Sequence, residues 1–217
     1  MEQQTVYLSD LSVGDTFTRG WQLFRANMWP LIGIIIFLFI LAMPSGTGED
    51  SSAAQDLFAT LYSIFVLNPV ALVAYYGVVR LARGQELSVQ GLFSLLQNNY
   101  LNTVAVTFFV SIIVGFGFLL FIIPGVYLSA RLSFAGYLCL DRGLGPIDAI
   151  KTSWDVTRGH AATLILYGIV AFFLIVAGLL ALVVGVLVAV PVAMAAFAII
   201  YNTIESRSDY VSESPAT

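Results

Sequence analysis

Charge is scarce in this chain, and so are the residues that usually carry chemistry. Only 10% of its 217 residues are Asp, Glu, Lys or Arg, 59% are hydrophobic, and the mean hydropathy is +0.91. Soluble domains carry roughly 25% charged residues, so a water-solvated globule is excluded and lipid is the expected solvent. The single cysteine, Cys139, excludes a disulfide within the chain and leaves the redox compartment unread. The single histidine, His160, cannot make a histidine metal site alone and reads as a polar residue at a helix entry. There is no Gly-x-Ser-x-Gly elbow, His-Glu-x-x-His pair, phosphate loop or carboxylate pair inside an apolar run. A net charge of −4 and the acidic stretch GEDSSAAQD argue against nucleic acid. The expectation is a non-enzymatic protein without cofactor or metal, whose partners are membrane lipids and other membrane proteins.

What the chain has in abundance is long apolar runs: residues 28–43, 57–79, 87–130, 132–140 and 159–204 contain no Asp, Glu, Lys or Arg. A bilayer core takes about 20 helical residues per crossing. The third and fourth runs are broken at Pro124-Gly125, where proline removes a donor and glycine permits a turn, giving spans of about 100–123 and 125–140. Residues 161–204 are about 66 Å long at a helical rise, twice a hydrocarbon core, and are expected to fold back between Gly178 and Pro191. With 28–43 and 57–81 the spans number six. The first is expected to stay in the mature protein, because the residues before it include Glu2, Asp10 and Asp15 and no basic cluster. Gly115 and Gly117 in VGFGF have no strand before them and read as close helix packing.

Lysines and arginines give the orientation. Arg19 and Arg25 precede the first span, Arg80 and Arg83 follow the second, Arg142, Lys151 and Arg158 follow the fourth, and Arg207 follows the sixth. The alternate connections, 44–56, 123–126 and 178–191, carry none. The positive-inside rule then places both termini in the cytoplasm of a multi-pass protein of the cytoplasmic (inner) membrane.

Three segments repeat. LSVGDTFTRGWQLFRANMWPLIG, LSVQGLFSLLQNNYLNTVAV and GPIDAIKTSWDVTRGHAATLI align without gaps, so that Phe17, Val89 and Ile150 coincide. Trp21, Phe93 and Trp154 follow, then Arg25, Gln97 and Arg158, then Asn27, Asn99 and His160. Ser12 and Ser88 are expected caps, Asp15 completes a capping box, and Pro146 suits a first turn. Val13, Phe17, Trp21, Phe24 and Met28 form one apolar stripe, and Ile147, Ile150 and Trp154 another, opposite Asp148, Lys151 and Asp155. Such helices lie in the interface, with Trp21, Phe93, Trp154, Arg25 and Arg158 as anchors. Amphipathic, aromatic-rich loops are also common wherever a chain enters a membrane, so a true repeat stays one of two readings. The expected fold is all-α: six transmembrane helices as three hairpins, each preceded by a cytoplasmic amphipathic helix, around a pseudo-threefold axis. It is one membrane domain, 1–206, with repeats at about 11–83, 87–142 and 145–206 and a disordered cytoplasmic tail, 207–217.

One charge interrupts this pattern. Arg131 sits inside the fourth span, where an arginine costs about 2.5–3.5 kcal/mol even on lenient insertion scales. With no acidic residue inside a span, the candidate partners are Tyr127, Ser129, Ser133, Asn68 beside Pro69, Tyr201 and Asn202, or Asp56 near the outer turn. Arg131 is then either a pin bonded to freed carbonyls or the base of a cavity for an anion, most naturally a lipid phosphate; a proton relay lacks an acidic partner. With Arg131 the expected ligand residues are Tyr127, Asn68, Tyr201 and Asn202. The functions in play are a scaffold in envelope or lipid homeostasis, a small lipid or solute transporter and, with least support, an intramembrane enzyme.

The stretch IPGVYLSARLSFAGYLCLDRGLGPIDAIKTSWDVTRGH resembles a prokaryotic family of six-span inner-membrane proteins. The family includes the membrane domain attached to some glycerophosphoryl diester phosphodiesterases and the YciC-type proteins. The resemblance rests on Pro124, Gly125, Tyr127, Arg131, Ala149, Ser153, Trp154, Arg158 and Gly159, and the opening helix from Leu11 is also similar. Asp155 and His160 depart from the pattern, which has a basic or polar residue and an asparagine there. The resemblance implies a bacterial cytoplasmic-membrane location, while the phosphodiesterase chemistry of fused relatives belongs to a separate soluble domain.

Overall fold

A computed structural model describes residues 13–45, 52–180 and 182–213. The Ser12 cap and residues 46–51 of the acidic connection lie outside them. Among the described residues there are helices and short connections and no strand. Six segments are long and apolar enough to cross a bilayer, Met28–Ser45, Ala53–Ala82, Val89–Leu120, Ile122–Arg142, Ala161–Leu180 and Gly185–Ser206, which makes the chain a multi-pass membrane protein.

The helices entering the odd spans bend at the aligned polar positions. Helix α1 (Val13–Ala26) ends at Asn27, whose backbone leaves the helical region (φ −129°, ψ 38°) before α2 (Met28–Ala42). Helix α5 (Val89–Leu120), opened by Ser88 accepting from the Gly91 amide at 3.2 Å, bends at Asn99 (φ −117°, ψ 15°). In both, the side-chain amide donates back four residues, Asn27 to the Leu23 carbonyl at 3.2 Å and Asn99 to Leu95 at 3.3 Å. At the first bend the Leu23 carbonyl also keeps the Asn27 backbone N–H, at 3.1 Å, so the side chain adds a second donor that holds the last turn in place. After α8 (Pro146–Val156) the chain turns through Gly159 (φ 82°) and His160 into α9 (Ala161–Leu180).

The second and fourth spans are each interrupted along their length. The second runs as α3 (Ala53–Tyr62), a π-turn at Ser63–Leu67 and α4 (Asn68–Ala82). Pro69 has no N–H to offer the Phe65 carbonyl, and the Tyr100 hydroxyl donates to that carbonyl instead, at 2.6 Å. The fourth runs as α6 (Ile122–Leu132) and α7 (Ala135–Arg142), and the Arg131 carbonyl near their junction accepts from Ser153 at 2.9 Å and Thr157 at 3.1 Å. The turn between the third and fourth spans is not at Pro124-Gly125. It is the single extended residue Phe121 (φ −162°, ψ 158°), and Pro124 lies in the first turn of α6, where a missing N–H costs nothing. Gly117 and Gly125 meet across this turn: a Cβ on Gly117 would stand 3.1 Å from the Gly125 Cα. By contrast, nothing lies within 4 Å of a Cβ on Gly115. The last helix, α10 (Leu182–Glu213), begins within the window expected for its turn.

Spans four and six have 44% of their most apolar window buried, against 22% for span two and 11–17% for the odd spans, so four and six form the centre. Helix α1 packs on α10, the start of α5 on α4, and α8 on α7, α6 and α5. The buried residues of α1 are Thr16, Gly20 and Phe24, and those of α8 are Ala149, Ser153 and, just past its end, Thr157. They match the expected stripes in part: Phe24 is buried, Phe17 stacks on Tyr167 and Ile150 packs on the core, whereas Trp21 and Ile147 are exposed and small residues let the helix backbones approach their neighbours. Between the central helices lie the rings of Phe134, Tyr137, Phe197 and Tyr201, with centroids 5.2–5.8 Å apart.

Candidate functional site

Arg131 is carried by the last turn of α6 and is 3% exposed. Its guanidinium carbon lies 4.3 Å from the Trp154 ring centroid and 5.9 Å from that of Tyr127, and those two rings meet edge-on at 6.1 Å. Side chains on a helix lean toward its N-terminus, which carries Arg131 past Tyr127, while the hydroxyls of α8 fasten its carbonyl. The charge is therefore lodged against π faces, an attraction of about 2 kcal/mol when desolvated. Among the described residues its Nε has no hydrogen-bond partner. A buried donor left open costs about 1–3 kcal/mol, so this position retains an unused capacity for an acceptor.

Of the other candidate partners, Ser129 and Ser133 donate within their own turns, to the Val126 carbonyl at 2.8 Å and the Ala130 carbonyl at 2.9 Å. Asn68 is exposed where the π-turn joins α4. Tyr201 and Asn202 stand at the ends of the even spans, in a polar knot that the sequence reading misses. There Arg83 donates from Nη1 to Asp141 Oδ1 at 2.8 Å and from Nη2 to Asp141 Oδ2 at 2.7 Å. Its Nε donates to Asn202 Oδ1 at 2.7 Å, and Nη2 also reaches Glu205. Arg142 Nε donates to the second Glu205 oxygen at 3.2 Å. The hydroxyls of Tyr76 and Tyr201 donate to Asp141, the latter at 3.1 Å, and Asn202 Nδ2 donates to the Val79 carbonyl at 3.3 Å. The hydrogen-bonded Asp141 carboxylate pushes the Arg83 pKa further up, so this guanidinium is a permanent cation.

Asp141 and Glu205 thus correct the expectation of spans without acidic residues. They lie in the last turns of the fourth and sixth spans, where two cations neutralise them. The signal was readable: Leu81-Ala82-Arg83-Gly84 and Leu140-Asp141-Arg142-Gly143 are the same helix exit, closed by Gly84 (φ 76°) and Gly143 (φ 62°). Near the end of α8, Asp155 and Arg158 pair at 4.0 Å on the exposed face, worth little. Among the described residues, no three His, Cys, Asp or Glu gather as metal ligands.

The anchor residues border the sides of the molecule. Phe93 lines an apolar groove of about 520 Å³ between α2, α4 and the start of α5, and Trp21 lines one of about 410 Å³ between α1, α9 and α10. Trp154, at the aligned position of the third segment, covers Arg131. Arg25 and Arg158 are exposed.

Neither a protein-family profile nor a solved structure matches the chain. The chain is similar to "Uncharacterized protein Rv2560" of Mycobacterium tuberculosis (strain ATCC 25618 / H37Rv), 24% identical over an alignment of 217 residues that covers 85% of this chain. The chain spans 66% of that curated relative's length.

Proposed function

We propose that the protein is a non-enzymatic, non-conducting scaffold of the cytoplasmic membrane that associates with lipid and serves envelope or lipid homeostasis. The observation that carries this reading is the closed centre. Packed aromatic rings and a charge-balanced knot fill the space where a solute path would run, whereas the cavities open sideways toward lipid. Asp141 and Glu205 are engaged by arginines, which leaves no carboxylate of the knot poised as a general base. The architecture in this proposal is three hairpins, each preceded by an amphipathic helix on the cytoplasmic face. Its supports are the bends at Asn27 and Asn99 and the seating of the three aligned segments on even spans. The motif around Arg131 and Trp154 supports the resemblance to the six-span inner-membrane family. Vesicles holding the purified protein should leak entrapped protons and small dyes no faster than empty vesicles. A protein-dependent flux abolished by a substitution in the central rings would overturn the reading in favour of a transporter.

A second reading is favoured by the unpartnered Arg131 Nε: an anionic lipid headgroup reaches Arg131 when Trp154 moves aside. On that reading Arg131→Met abolishes co-purified anionic lipid. Equal lipid on mutant and wild type eliminates it.

A further inference from the structure

Resting on the lipid-associated reading, we infer that the groove between α2, α4 and the start of α5 is a binding site for one anionic phospholipid, its acyl chain between Gly33 and Phe93 and its phosphate on Arg80. The groove, about 520 Å³ in volume, is apolar along its length, with Pro30 and Gly33 on one wall, Val70 and Val73 on another and Phe93 on the third. Its size is that of a small-molecule site, which lies between roughly 300 and 1,000 Å³, and its lining suits a hydrocarbon chain better than any polar solute.

Its position relative to charge identifies the lipid. Leu87 and Leu92 close over Gly77 at the end of the groove, and one turn further along α4 comes Arg80, with Nη1 3.5 Å from where a Gly91 Cβ would stand. Arg80 donates from Nε to Gln85 Oε1 at 2.8 Å and, among the described residues, pairs with no carboxylate. Arg83, three residues on, holds two carboxylates. The knot thus consumes one cation of this helix end and leaves the other, half-buried, for an external anion. The rise along α4 from Arg80 back to Val70 is about 15 Å, half of a ~30 Å hydrocarbon core. Cation and groove are therefore spaced as a headgroup and the depth of one leaflet.

Gly33 provides the test, because it lines the groove and a Cβ there meets nothing within 4 Å, so a ring placed on it fills the groove without displacing a neighbour. Purified protein in micelles holding equal phosphatidylglycerol and phosphatidylcholine is analysed by native mass spectrometry. Wild type should retain one phosphatidylglycerol with about tenfold preference, because the choline cation of phosphatidylcholine offsets the phosphate charge that Arg80 would meet. Gly33→Phe should retain none at an unchanged melting temperature, and Arg80→Gln should retain a lipid without preference. If Gly33→Phe does not fold, Val89→Trp takes its place, since Val89 also lines the groove and is 79% exposed. Full phosphatidylglycerol retention by the groove variant overturns the site, as does a wild type without preference. Loss of lipid in Arg131→Met alone moves the headgroup to Arg131 and overturns only this inference. A wild type that holds no lipid overturns the lipid-associated reading as well.

Discussion

Two arginines on the same chain show how much of a residue's role depends on partners that its neighbours in sequence do not reveal. Arg131 announces itself as a lone charge in an apolar run, and its burial follows from that. Its partners were illegible, because Trp154 and the hydroxyls of Ser153 and Thr157 come from a helix more than twenty positions on. Arg83 reads as an ordinary loop cation and is instead the hub of the knot, since Asp141 and Glu205 converge on it only when three helix ends meet. The Arg131–Trp154 contact can be measured directly. A double-mutant cycle with Arg131→Met and Trp154→Ala, read by thermal unfolding in detergent, should give a coupling of about 1–2 kcal/mol. A coupling near zero would mean that Trp154 merely lies nearby. Arg83→Met strands Asp141 and should destabilise strongly, though by less than the ~3–5 kcal/mol of a fully buried pair, because water reaches the knot. Arg83→Lys should recover only part of the loss, lacking the two-pronged geometry.

At the scale of elements, apolar periodicity revealed where helices run but not which face packs. In α1 the exposed stripe holds Trp21 and the buried one Gly20, where an added Cβ would lie 2.9 Å from Ala196 Cβ and 3.0 Å from the Val192 carbonyl. In a membrane the large apolar residues have lipid to face, so small residues mark the helix contacts, the reverse of the rule in water. Gly20→Leu should therefore loosen α1 from α10. Overpacking costs typically about 1–3 kcal/mol and outweighs the ~1 kcal/mol gain in helix propensity, so the melting temperature falls. Gly168→Ala, with nothing within 4 Å, should leave it unchanged or raise it slightly. A Gly20→Leu protein as stable as wild type would contradict the packing of α1. The misplaced turn at Pro124 has the same kind of origin: proline was read as a breaker, whereas in the first turn of a helix it is an initiator.

For the whole molecule, composition alone made the class legible, and the scarcity of charge separated its two ends. The six spans follow from run length and from the distribution of Lys and Arg, and the six apolar helices match that number. The closed centre could not be read, because Phe134, Tyr137, Phe197 and Tyr201 look like any aromatic residues of a span until α7 and α10 bring them together. The proposal that lipid is the ligand rests on packed central rings, on grooves at the sides and on the spans alternating as proposed. The most direct test replaces buried Cys139 with alanine, places single cysteines at Gly48, Ser88 and Ser206, and applies a membrane-impermeant maleimide to sealed cells. The account predicts labelling at position 48 alone, with 88 and 206 reacting only after the membrane is opened; labelling of 48 and 88 from the same side would contradict it.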